Sequence, residues 1–140
     1  MLNLEVLPGW YAICRLDCGE AVPEWTQSAD PSADAFVSIT RTSDELSIVC
    51  RDAGIPDHVE TERDWRCMRV AGKLNFELVG VIAKITKHLA DVAVSVFVVS
   101  TFDTDYLLVK EDDWARAVTA LRSGGYSVLT DGGQPGSIGV

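Results

Sequence analysis

The order of elements in residues 65–129 restricts the possible folds of this chain more than any other feature. Trp65 to Ala71 is strand-like, and Gly72 to Phe76 is a loop. From Leu78 to Asp91, the apolar residues Leu78, Val81, Ile82, Ile85 and Leu89 recur at helical spacing, with Lys84, Lys87, His88 and Asp91 on the other side. Val94 to Ser100 is a buried strand, and Asp105 to Val109 is its hairpin partner across Thr101–Thr104. Asp112 and Asp113 open a second helix, where carboxylates suit the N-terminal dipole. Trp114, Ala117, Val118 and Leu121 stripe that helix, Gly124-Gly125 ends it, and Tyr126 to Leu129 forms a last strand. The order β-α-β-β-α-β predicts an α+β, ferredoxin-like unit. Right-handed crossovers then place both helices on one face of a four-stranded antiparallel sheet.

The first half echoes this plan with less regular structure. Leu2–Leu7, Trp10–Leu16, Phe36–Thr40 and Glu45–Cys50 are strand-like. Asp17–Ala35 is polar, with at most a short helix near Pro23-Glu24-Trp25, and Asp52–Asp64 is a charged connector. A shift of about 60 residues lays Ile39 on Val99, Glu45 on Asp105, Leu46 on Tyr106, Ile48 on Leu108 and Val49 on Val109. This predicts two related units packed together. Residues 1–62 form a degenerate one, 63–130 a complete one, and the glycine-rich 131–140 a flexible tail.

Charge narrows the function. Twenty-one acidic residues against 12 basic ones give a net charge of −9. That argues against a nucleic-acid partner and against an anionic membrane surface. The most apolar stretch, Ala93–Ser100, is strand-length, and the first nine residues lack the basic region of a signal peptide. A cytoplasmic protein with reduced thiols is expected. Cys14, Cys50 and Cys67 sit in apolar runs as small buried hydrophobes. Cys14 and Cys18 have no second ligand pair nearby, so no metal is expected. His58 lies in the polar connector and His88 on the polar side of a helix, both read as solvated. Neither is close in sequence to a nucleophile, and no phosphate-binding or nucleophile-elbow motif occurs. The expectation is a non-enzyme without a cofactor.

The run S-T-F-D-T-D-Y-L-L-V-K-E from Ser100 resembles the small bacterial tandem ACT-domain proteins. So do F-V-S-I-T-R-T-S-D-E-L-S-I-V-C from Phe36 and G-K-L-N-F-E-L-V-G-V-I-A-K-I from Gly72. The family is similar to the ACT pairs of the cytosolic arginine sensors and, more distantly, to aspartate-kinase regulatory regions. The resemblance implies two ACT-type units that associate side by side, with a small ligand, usually an amino acid, bound between units. It implies ligand contacts in the loop 72–80, at Asn75, Glu77 and Gly80, and at the hairpin end, at Thr101, Phe102, Asp103 and Asp105. The D-x-P-G loop of many ACT domains is absent.

The chemistry of these residues suits a zwitterion. A helix start near Gly80 offers free N–H groups to a carboxylate. Glu77, Asp103 and Asp105 offer acceptors to an ammonium, and Phe102 offers a face to a side chain. Each also has a plain structural role: Asp103 and Asp105 as turn residues, Phe102 as a cap on the core, Gly80 as a packing glycine, Thr101 as a backbone partner. Two functions stay open: a regulatory module that binds an amino acid, and a ligand-free dimerisation module. Either works as a homodimer, because apolar edge strands such as Val94–Ser100 invite pairing.

Overall fold

The computed structural model describes residues 3–27, 36–71 and 80–129. Eight strands and two α-helices follow one another as β1 (Asn3–Val6), β2 (Tyr11–Leu16), β3 (Ser38–Arg41), β4 (Leu46–Arg51), β5 (Glu60–Val70), α1 (Val81–Asp91), β6 (Phe97–Ser100), β7 (Asp105–Lys110), α2 (Trp114–Ser123) and β8 (Ser127–Leu129). The chain divides into two compact units. A C-terminal unit joins Met1–Leu7 to Arg66–Val140, and an N-terminal unit is Pro8–Trp65.

In the C-terminal unit the strands lie in the order β8-β1-β5-β7-β6. The β-α-β-β-α-β succession stands as expected, with one addition. β1 lies between β5 and β8, antiparallel to β5 and parallel to β8. The sheet therefore has five strands and is not purely antiparallel. It also moves the N-terminal residues out of the expected 1–62 unit. The physical reason is alternation: Leu4 and Val6 point one way and are buried, while Asn3 is exposed. Leu4 pairs with Val70 on one side and Val128 on the other. Both helices bury their apolar stripes in the same core, through Ile85 and Leu89 of α1 and Trp114, Ala117, Val118 and Leu121 of α2. His88, expected in solvent, is instead half-buried, its ring edge-on to Tyr126 with centroids 5.6 Å apart.

In the N-terminal unit the order is β3-β4-β2-β5. Ala12, Cys14 and Leu16 of β2 and Leu46, Ile48 and Cys50 of β4 share one buried face, half-covered by Val22, Trp25 and Val59. The expected polar stretch contributes only a 3-10 turn at Glu24–Thr26. The expected connector is shorter than residues 52–64, because β5 already begins at Glu60. Residues 60–62 pair with β2 through backbone bonds, which do not require apolar side chains. A bulge follows. Tyr11 faces Trp65 but Ile13 faces Glu62, and Asp64 absorbs the extra residue at φ 67.

The two hairpins show the repeat at a corrected offset. Arg41 pairs with Leu46, and Ser100 with Asp105, so the turns align at a shift of 59, one residue less than the sequence suggested. The faces agree with that register. Ile48 and Cys50 then match Leu107 and Val109, and all four are core residues. The turns match in detail as well. The Thr42 N–H donates to the Glu45 carbonyl at 2.9 Å, and the Thr101 N–H to the Thr104 carbonyl at 2.8 Å. Thr42 Oγ1 accepts the Glu45 N–H at 3.2 Å, and Thr101 Oγ1 accepts the Thr104 N–H at 3.3 Å.

Candidate ligand-binding site

The hairpin turn between β6 and β7 holds four of the seven expected site residues. Thr101 folds it twice, since its hydroxyl also donates to the Thr104 carbonyl at 2.9 Å. Thr101, Phe102 and Asp103 are exposed, Phe102 to 81%. Phe102 therefore does not cap the core. Asp105 is half-buried at the first position of β7 and accepts a hydrogen bond from Ser100 Oγ at 2.5 Å. That bond holds the carboxylate on the outer rim of the hairpin.

Thr104, which the sequence did not single out, ties the turn to the sheet. Its side chain is buried and its hydroxyl donates to the Val70 carbonyl at 2.8 Å. Val70 is the last residue of β5, and from Ala71 the chain leaves for α1. The turn is thus pinned beside the exit of β5, the same strand end to which a right-handed β-α-β crossover returns. A Thr in a polar turn gives no sign of burial; only the tertiary pairing of β5 with β7 creates it.

Gly80 stands at the start of α1 in the left-handed conformation, φ 81, and its carbonyl accepts the Lys84 N–H at 2.9 Å. Space is open where a Cβ would lie, so backbone conformation and not close packing requires the glycine. No side chain caps this helix start, which leaves its first N–H groups to solvent or to an anion. Asn75 and Glu77 lie outside the described residues.

A half-open groove of about 210 Å³ occurs in the N-terminal unit, lined by Arg15, Leu16, Asp17, Glu20, His58, Val59 and Glu60. None of the expected site residues lines it. Among the described residues no group of three or more His, Cys, Asp or Glu is placed to hold a metal, and no helix is long and apolar enough to cross a membrane.

Comparison with known proteins adds the following. An ACT domain model matches residues 60–123, and a separate N-terminal domain model matches residues 9–58. A crystal structure of a protein from Agobacterium tumefaciens is 38% identical, with 93% of each chain covered and a TM-score of 0.84. The cytosolic arginine sensor for mTORC1 subunit 1 from Rattus norvegicus is 39% identical over 59 residues. That stretch is 41% of this chain and 18% of the sensor, so this chain spans under a fifth of that relative. Aspartate kinase from Clostridium acetobutylicum shares the fold at 13% identity and a TM-score of 0.56, covering 86% of this chain and 34% of the kinase.

Proposed function

This chain belongs to the ACT-domain family, and we propose that it is a non-catalytic regulatory module that binds a small zwitterion of the amino-acid class. The binding groups are Gly80, Thr101, Phe102, Asp103 and Asp105, together with Asn75 and Glu77. The observation that carries this reading is the Thr104–Val70 bond, which pins an exposed Phe-Asp turn beside the strand exit that leads to the uncapped start of α1. The uncapped N–H groups suit a carboxylate. Asp105, held by Ser100, suits an ammonium, and Phe102 offers a ring face to a side chain. Likeness to a stretch of an arginine sensor supports the ligand class.

A homodimer belongs to the same proposal. Among the described residues β6 pairs only with β7, and it carries Phe97, Val98 and Val99 without a Lys or Pro to block its outer edge. Light scattering at micromolar concentration should give twice the chain mass, and a monomer would remove this part. A cytosolic location, which the sensor's name states for the relative, is proposed with it.

The direct test is a thermal-shift screen of the twenty amino acids, followed by calorimetry on any that raise Tm. At about 100 times its Kd a ligand adds about 2.7 kcal/mol to stability. Asp105→Ala should remove the shift while the unliganded Tm stays within a few degrees. No shift with any amino acid at millimolar concentration would put the ligand-free dimerisation module in its place.

A further inference from the structure

The fold of the N-terminal unit brings together two thiols that are distant in sequence. In the β2–β4 ladder Cys14 faces Ile48 and Cys50 faces Ala12, so both sulfurs lie on one face of the sheet, a diagonal step apart. On the other side of β2, Cys14 faces Thr61, whose hydroxyl lies 3.9 Å from Cys14 Sγ. Cys50 completes the row with a side-chain hydrogen bond to Cys14. Both cysteines are buried, Cys14 at 1% and Cys50 at 0% exposure, in the apolar cluster of this unit.

An apolar cluster on its own holds a cysteine as a neutral thiol. Here the hydrogen bond from Cys50, helped by Thr61 and the positive charge of Arg63, outweighs burial and brings Cys14 down to about 7. Cys50 is pushed up, first by its hydrogen bond with Cys14 and then by burial. Near neutral pH the pair thus carries one thiolate and one thiol that converge on a single hydrogen.

We propose that Cys14 and Cys50 form a two-coordinate site for a soft monovalent cation of the Cu(I) class, which takes the place of the hydrogen between the two sulfurs. Thiolate sulfur selects such cations over harder ones. Two Cu–S bonds form, the Cys50 S–H bond breaks, and its proton goes to water. One cation replaces one proton, so the apolar cluster gains no net charge. The diagonal placement also favours a bridging ion over a disulfide, since diagonal neighbours in a sheet stand about 7–8 Å apart, wider than the usual span of a disulfide. This inference is independent of the ligand site in the C-terminal unit.

The test uses the full chain carrying Cys18→Ser and Cys67→Ala, which leaves only the two thiols in question. Cu(I) is supplied without oxygen as its glutathione complex, and excess glutathione is kept present. Native mass spectrometry should find one copper per chain, and X-ray absorption should find two sulfur neighbours around it. Cys14→Ala and Cys50→Ala should each reduce retained copper to none, with circular dichroism confirming that the fold persists. Should either variant fail to fold, the absorption measurement on the two-thiol chain decides alone. No retained copper, three sulfur neighbours, or equal retention by a folded single variant would overturn the proposal.

Discussion

Thr104 and Thr26 are the buried polar side chains among the described residues. Thr104→Val removes the donor to the Val70 carbonyl, and an unmet buried group costs about 1–3 kcal/mol. Urea melts should show that loss for Thr104→Val and much of it restored in Thr104→Ser, which keeps the hydroxyl. Ala93 closes the turn after α1 at φ 59, a left-handed conformation that costs a residue with a Cβ about 1–2 kcal/mol. Ala93→Gly should relieve part of that strain and raise Tm slightly; a fall in Tm would contradict it. The cysteine pair makes stability depend on pH. Cys14 ionises at about 7 in the folded chain against 9.0 for an ordinary thiol. The folded state therefore binds fewer protons across that window, and stability rises with pH there. Above it the effect reverses, because folded Cys50 stays protonated where the unfolded chain has lost both protons. Arg63 and Asp52, themselves an ion pair, are the charged groups that act on the pair. Urea unfolding between about pH 7 and 9 should show the rise in wild type and its loss in Cys50→Ala. The thiols were legible as buried; their pairing was not, because it depends on how β2 and β4 align.

At the scale of elements, the helices were legible because a 3.6-residue stripe is a local pattern. What a stripe does not show is how one helix meets another. His88 sits on the polar side of α1 by sequence, yet a Cβ at Gly124 would stand 2.7 Å from its ring. Gly124→Ala should force the imidazole aside and cost about 1–3 kcal/mol by overpacking, read as a lower urea midpoint. The polar half of β5 escaped notice for a related reason. Glu60–Asp64 lacks the apolar alternation by which strands are recognised, and it becomes a strand because β2 supplies backbone partners. The offset of the repeat was one residue long because short apolar runs match almost as well at neighbouring shifts. Only the ladder register tells the faces apart.

For the whole molecule, the decisive fact is that β1 belongs with residues 66–129 although the 8–65 unit intervenes in sequence. A chain that begins at Pro8 lacks an inner strand, and Leu4, fully buried between Val70 and Val128, goes with it. That truncation should lose the cooperative unfolding transition of the C-terminal unit, and a synthetic peptide of residues 1–8 should restore it. A single Leu4→Ala should cost about 2–5 kcal/mol. A truncated chain that melts like wild type would contradict the role given to β1.

The sequence by itself determined the class of fold, the two helices, the hairpins and the turn that carries Thr101, Phe102, Asp103 and Asp105. These follow from periodicity, turn chemistry and local motifs, which act over a few residues. Only the tertiary structure decided that β1 inserts beside β8, that Thr104 pins the turn to Val70, and that Cys14 meets Cys50 and Thr61. Each of these depends on which strand lies next to which and in what register. That choice is made by burial summed over a whole sheet face, and no short stretch of sequence records it.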